Sequence, residues 1–376
     1  MKDESIYPSD EDDQSFGALT FPIYQTSSFE LPRGERYRYS RENNPTVEAL
    51  AHRIALLENM EMGNCFSSGM SAITTTLMTF LRPGKKIIIQ RELFARSFRF
   101  INDFLRQWGV NVEVSSPGTE NVLKKIDEKT DMVFLETITN PLLRFNDLGT
   151  IAEKCHENHA RLVADSTFAT PVNIKCGDVG VDISIHSASK FLGGHNDLIA
   201  GVLSGKRDLV NEIDLGRRNF GGSLDPHTSF LVMRGIKTLS LRMQRINETA
   251  MKVARFLNEE LKVDTIYPGL ETHPDHEAAR KNLKGFGGIV TVNLHCSADD
   301  ALKRLSSLSM IKPANTLGGL TTTITHPYTM SHRGLSLEEK RMAGIDEGLL
   351  RLSVGIENAD DIIADLSGLV NTKKGL

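Results

Sequence analysis

The 376-residue sequence has few residues suited to cross-linking or metal binding. Its four cysteines, Cys65, Cys155, Cys176 and Cys296, are widely scattered and form no Cys-x-x-Cys pair. Neither a disulfide framework nor a zinc knuckle is indicated. The eleven histidines contain no His-Glu-x-x-His arrangement, and His273 and His276 flank a Pro-Asp pair that reads as a turn, so no metal is expected. No apolar run is long enough to cross a bilayer. The acidic, polar start (Asp3, Glu4, Asp10, Glu11, Asp12, Asp13) is unlike a signal peptide. A strong charge of one sign is also missing. The formal net charge of -4 gives no electrostatic reason to expect nucleic acid or a membrane surface as partner. There is no internal repeat and no low-complexity tract. The remaining composition, 40% hydrophobic and 24% charged, is that of an ordinary globular protein. The length suffices for a sizeable core and two domains, and a cytoplasmic enzyme is the default expectation.

Residues 1–45 are polar, hold several prolines and show no helical period, which reads as an extended arm. From about 65 to 205, short apolar runs alternate with helical patterns. Lys86 to Gln90, Val110 to Val114, Met132 to Glu136, Arg161 to Ala164, Val181 to His186 and Ile199 to Leu203 read as strands. Ser97 to Trp108 and Asp147 to His159 have helical spacing between them. Such alternation predicts an α/β domain with a mostly parallel sheet covered on both faces. One long helical stretch is predicted over 229–261. After it come a Pro268-Gly269 turn, a strand near Gly288 to Leu294, a helix near Ala298 to Leu308, a strand at Leu349 to Val354 and a final helix from Asp360. The expected division is an arm over 1–45, a large domain over 46–240 and a smaller α+β domain over 241–376.

Lys190 lies in Ser187-Ala188-Ser189-Lys190-Phe191-Leu192-Gly193-Gly194-His195, just after the apolar run Val181 to His186. That places an amine at the carboxyl edge of a sheet, where open α/β folds bind ligands. A desolvated lysine there can lose its proton and form a Schiff base with a carbonyl. The flanking hydroxyls can hold a phosphate, and the combination points to pyridoxal phosphate. Other features fall on the same edge. Asp165 ends Arg161 to Ala164, where a carboxylate can pair with a protonated pyridine nitrogen or simply cap a helix. Asn140-Pro141 follows Met132 to Glu136 and is either an amide near a ring hydroxyl or an ordinary turn. Ser67-Ser68-Gly69-Met70 opens an apolar helix, either as an anion site or as a plain N-cap.

These motifs, in order, resemble those of the Cys/Met-metabolism pyridoxal-phosphate enzymes: cystathionine γ-synthase, cystathionine γ-lyase and β-lyase, methionine γ-lyase and the acylhomoserine sulfhydrylases. The resemblance spans nearly the whole chain. It includes Pro22 to Phe29, Tyr39-Ser40-Arg41 through Asn44-Pro45-Thr46, Ser68-Gly69-Met70, Asp165 to Pro171, the lysine segment to Asp197, Arg234 to Leu239, Tyr267 to Leu270 and Arg351 to Glu357. The resemblance implies the type I fold of pyridoxal-phosphate enzymes. It also implies that Lys190 carries the cofactor and moves protons, that Asp165 pairs with the pyridine nitrogen, and that Asn140 lies near the ring oxygen. Gly69, Met70, Ser187 and Ser189 would hold the phosphate. Tyr39 and Arg41 would reach the phosphate of a neighbouring subunit, implying shared sites in a homotetramer built as a dimer of dimers. Arg351 would clamp the substrate's α-carboxylate.

The chain departs from the family in three places. Arg91 to Ser97 occupies the segment where relatives usually carry Leu-Tyr-Gly. Phe94 keeps a stacking ring for the cofactor but has no hydroxyl for proton transfer. Thr316, in Asn315-Thr316-Leu317-Gly318-Gly319-Leu320-Thr321-Thr322, retains a hydroxyl at the substrate site, while Thr321 stands where an acid is frequent. Arg38 replaces another often acidic position and is a candidate substrate contact. These changes favour a neutral or anionic distal group over the zwitterionic end of cystathionine. The reading is γ-elimination or γ-replacement on a γ-substituted amino acid in sulfur amino-acid metabolism. A C–S β-lyase, a specialised member with another substrate and a catalytically degenerate binding protein are the alternatives.

Overall fold

The computed structural model describes residues 17–31 and 36–369. The acidic residues between Asp3 and Asp13, part of the expected arm, lie outside the described residues. Seven strands form the larger sheet: β1 (Met62–Phe66), β2 (Lys86–Gln90), β3 (Asn111–Ser115), β4 (Met132–Glu136), β5 (Arg161–Asp165), β6 (Ile183–Ser187) and β7 (Gly201–Gly205). Their order is β1-β7-β6-β5-β4-β2-β3. Only β7 runs against its neighbours, pairing antiparallel with β1 and β6. The predicted α/β class with a mostly parallel sheet is therefore observed. Strand sequences explain its burial. Ile87 and Ile89 of β2 face one apolar cluster and Ile88 between them faces another. A two-residue period with apolar side chains on both faces is what a sheet covered on both sides requires.

The second sheet has five strands: β8 (Asp264–Ile266), β9 (Ile289–Asn293), β10 (Lys312–Pro313), β11 (Thr323–Thr325) and β12 (Leu349–Ser353), ordered β10-β11-β12-β9-β8. Its core joins Val290, Val292, Leu350 and Leu352 to Val253 and Leu257 of the preceding helical segment.

Two helices matter most for the site. Helix α1 (Pro45–Leu57) starts at Asn44, whose side chain accepts from the Thr46 amide, with Pro45 at the first helical position. It buries Leu50, Ile54 and Leu57, spaced three and four apart. Helix α2 (Gly69–Phe80) is capped by Ser68, whose hydroxyl accepts from the Ser71 amide at 3.1 Å.

Three expectations need correction. The helix predicted over 229–261 is divided into Pro226–Ile236 and Leu239–Arg255, followed by a wider π-helical turn, Phe256–Glu260. Thr238 leaves the helical region (φ -113°, ψ 9°), and its amide donates to Gly235 O in a tight turn, which a hydrophobic period cannot reveal. The helix predicted from Ser97 to Trp108 begins earlier, as Ala95–Arg99, and continues as a π-helical segment, Phe100–Leu105. The described part of the arm is not uniformly extended, because Ser28 and Tyr39 pair across an antiparallel bridge.

Candidate active site

The carboxyl ends of the parallel strands lie level. Glu136 is in register with Asp165, and Ser187 is in register with Gly201, which also faces Phe66 across β1. A cavity of about 600 Å3 opens at this edge. Lys190, Gly69, Met70, Phe94, Asn140, Asp165, Ser187, Ser189, Thr316 and Arg351 all line it. Ten residues expected from distant parts of the sequence thus meet at one place. Tyr39, Arg41 and Arg38 are not part of this lining. Tyr39 and Arg38 are exposed, and Arg41 stands over the Tyr39 ring at 5.7 Å while donating to Arg218 O at 2.8 Å. Thr321 is exposed and also outside the cavity.

Lys190 ends a turn begun by Ser187, its amide donating to Ser187 O at 3.1 Å. Its ammonium is lowered from the usual lysine range by burial first and by the nearby Arg351 charge second. The segment after it is held by Arg242, whose guanidinium donates to Phe191 O at 2.6 Å and Gly235 O at 2.7 Å. Gly318 (φ +77°) brings the Asn315–Gly319 loop against the same segment. A Cβ at Gly318 would lie 2.6 Å from the Phe191 amide nitrogen, so only glycine fits.

Asp165 is half-buried in the cavity wall. Thr167 donates to its Oδ1 from the amide at 3.0 Å and from the hydroxyl at 2.5 Å, and the same hydroxyl accepts from the Ser187 amide at 2.9 Å. Burial raises the Asp165 carboxyl despite the Thr167 bonds. Glu136, which sequence reasoning missed, lines the cavity beside it. Glu136 accepts from the Phe94 amide at 2.6 Å and the Asn140 amide at 3.2 Å. Burial and then the Asp165 charge hold it well above the usual carboxylate range. Its position at a strand end level with Asp165 was the available signal.

Arg351 sits in the middle of β12 with only 3% of its surface exposed. Nη1 donates to Asn140 Oδ1 at 2.9 Å, and Nη2 donates to Thr325 Oγ1 at 3.2 Å and Thr316 O at 3.3 Å. Nε is buried with no partner, and all its hydrogen-bond acceptors are uncharged. Burial lowers this guanidinium to about 10. A buried cation without an anion is costly unless a ligand completes it. His332 was also missed. It is buried on the same wall and lowered to about 4 by desolvation, then by the Arg351 and Lys340 charges. Arg96, Arg99 and Arg333 complete that wall and were likewise unread.

These residues fit pyridoxal phosphate. Helix α2 presents the first-turn amides of Gly69 and Met70, which have no carbonyl in the helix to bond. The hydroxyls of Ser187 and Ser189 line the same cavity. The space over this cradle depends on glycine, because a Cβ at Gly69 would come within 3.0 Å of Ser187 Cβ. A lysine with a lowered pKa, a half-buried aspartate and an uncompensated arginine supply the remaining partners.

The sequence matches the family described as Cys/Met metabolism PLP-dependent enzymes over residues 3–370. It is 40% identical over 367 residues to an L-methionine γ-lyase of Fusobacterium nucleatum subsp. nucleatum, covering 93% of each chain. It is 36% identical over 380 residues to a cystathionine β-lyase of Lactococcus lactis subsp. cremoris, covering 99% of each. The fold matches the crystal structure of cystathionine γ-synthase from Xanthomonas oryzae pv. oryzae in complex with aminoacrylate and cysteine. The TM-score is 0.93 at 31% identity, with 97% of this chain and 96% of the other covered. With the expected residues gathered at one sheet edge and the match running nearly end to end, this chain belongs to the Cys/Met-metabolism PLP-dependent enzymes.

Proposed function

We propose that the enzyme acts at the γ-carbon of an amino acid in sulfur amino-acid metabolism, by elimination or by replacement with a thiol. One observation carries the reading. A buried arginine without a counter-charge and a lysine of lowered pKa share a cavity large enough for a substituted four-carbon amino acid. Similarity to proteins named methionine γ-lyase and cystathionine γ-synthase supports the position of attack. Bound pyridoxal phosphate supplies an electron sink for negative charge on the carbons next to the substrate nitrogen.

The chain's own residues do the rest. Arg351 would bind the α-carboxylate through the paired N–H groups of its planar fork. That contact orients the α-proton toward Lys190, whose amine is neutral for more of the time because of burial and Arg351. Lys190 Nζ would take the α-proton and then act on a β-proton, since Phe94 offers no hydroxyl to share the work. Asp165 would pair with the pyridine nitrogen, held by Thr167. Gly69, Met70, Ser187 and Ser189 would hold the phosphate, with Asn140 near the ring oxygen and Phe94 against the ring.

The working unit in this reading is a homotetramer, in which the exposed Tyr39 and Arg41 reach a neighbour's phosphate and Arg38 reaches its substrate. Its place would be the cytoplasm. Among the described residues, no helix is long and apolar enough to cross a membrane.

Mass spectrometry of products from the PLP-loaded protein tests this. Cystathionine, methionine, cysteine and homoserine esters are offered with and without added thiol. A new thioether or 2-oxobutyrate is the expected product. Pyruvate alone, with no four-carbon product, would overturn attack at the γ-carbon. Light scattering of the purified protein tests the tetramer.

A further inference from the structure

Tyr39 and Arg41 are exposed and lie outside the lining of the chain's own cavity, yet the backbone beneath them is held by a buried polar network. The turn itself is local, since the amides of Glu42 and Asn43 donate to Tyr39 O at 2.8 and 3.1 Å. Its anchor comes from the helix Arg207–Phe220. Arg217, with 4% of its surface exposed, sends Nη1 to Arg41 O at 3.0 Å and Nη2 to Glu42 O at 2.5 Å. Nη1 also donates to Ser223 Oγ at 2.8 Å, and that hydroxyl donates to the same Arg41 O at 2.7 Å. Both lone pairs of the Arg41 carbonyl are thus engaged.

The other side of the guanidinium faces Asp214, whose Oδ1 accepts from Nε at 2.8 Å and lies 2.7 Å from Nη2. All five N–H groups of Arg217 therefore have acceptors, which leaves its planar fork one orientation. Asp214 is fixed in turn. Asn64 of β1 donates to its Oδ1 at 3.0 Å, and Arg218 Nη2 lies 2.5 Å from Oδ2. The network is rooted in the larger sheet and ends on the backbone of an exposed turn. A buried ion pair is a poor source of stability, because desolvation offsets most of its attraction. What it supplies here is orientation. Arg41 donates from Nη1 to Arg218 O and stands over the Tyr39 ring, so both exposed side chains are set against the same helix end.

We propose that Arg217 is a positioning residue: by pinning the carbonyls of Arg41 and Glu42, it presents Arg41 and Tyr39 to the cofactor phosphate of a neighbouring subunit. This rests on the shared-site reading above, in which those two residues cross between subunits. A turn ordered in advance loses less entropy when it meets the phosphate, so the contact is stronger than a free loop would give. Arg217 acts only through the turn.

Absorbance titration of the full-length protein with pyridoxal phosphate and with pyridoxal, which lacks the phosphate, tests this. The ratio of the two affinities isolates the phosphate. Arg217→Met keeps the side chain's length, removes every donor and leaves Asp214 paired with Arg218. It should lower the ratio by about tenfold, with pyridoxal affinity unchanged. Arg217→Lys keeps the charge without the fork and should fall between. Ser223→Ala removes one neutral bond to Arg41 O and should lower the ratio by about threefold. An unchanged ratio in Arg217→Met, or equal losses for the two ligands, would overturn the positioning role, because a purely structural residue weakens both alike. If Arg217→Met does not fold, the same two outcomes in Ser223→Ala decide. The double change Tyr39→Phe/Arg41→Gln keeps the two readings apart. A lowered ratio there with none in Arg217→Met defeats the positioning role alone. An unchanged ratio there defeats the shared-site reading itself.

Discussion

Replacing Arg351 with methionine separates its binding role from any contribution to stability. The guanidinium is buried and bonds only to neutral acceptors, with Nε unpartnered. Methionine has similar length, carries no charge and removes the desolvation cost. Cavity water can reach the vacated Asn140 and Thr325 oxygens. Stability should therefore hold or rise, as for other buried charges replaced by apolar groups. Substrate binding should suffer instead. Two charge-assisted hydrogen bonds to a carboxylate, at roughly 1.5–3 kcal/mol each, amount to about 3–6 kcal/mol, or about 10²–10⁴-fold in kcat/KM. Exchange of the substrate α-proton for deuterium, followed by NMR, reads this directly because it isolates the first proton transfer. Arg351→Lys keeps the charge but loses the fork, and should fall between wild type and methionine. A loss under tenfold, together with a melting temperature lowered by more than about 5 °C, would show that Arg351 is structural.

Other expectations are as specific. Lys190→Ala should cut α-proton exchange by about 10²–10⁴-fold, and borohydride should no longer fix the cofactor to the protein; retained exchange would move the proton transfer elsewhere. Phe94→Tyr should raise turnover of thioether substrates more than of esters, by roughly tenfold, since it restores a proton donor; an equal effect on both would remove Phe94 from leaving-group chemistry. His273 and His332 are both lowered to about 4 by burial. Their folded values lie below the unfolded value of about 6.5, so the unfolded chain binds more protons between those limits and stability falls as pH is lowered through them. Thermal melts should show the double change His273→Asn/His332→Asn losing less stability than wild type between pH 7 and 5. Equal losses would mean that neither ring resists protonation.

Much of the site was legible because its chemistry is written in short segments. The strand leading to Lys190, the serines beside it and Asp165 at the end of β5 each carry a local signal. Strand β1 was not legible, because Met-Gly-Asn-Cys-Phe has neither alternation nor β-branched residues. It forms because β7 offers an antiparallel edge. The division of the long helix turned on one dihedral pair at Thr238. The arginine group was invisible for another reason. Arg96 and Arg333 are more than two hundred residues apart, and only the fold brings them to one cavity.

Lys190 follows a strand of the larger sheet, and Arg351 belongs to the smaller one. A substrate held at both points is a rivet between two sheets that also share an apolar cluster joining Ile289 and Leu317 to Ile138 and Phe191. An unreactive amino acid should then delay heat unfolding of both layers together, by about 2.7 kcal/mol at a hundred times its dissociation constant. Substrate preference can also drift through small slides of one layer against the other, with the chemistry at Lys190 left untouched.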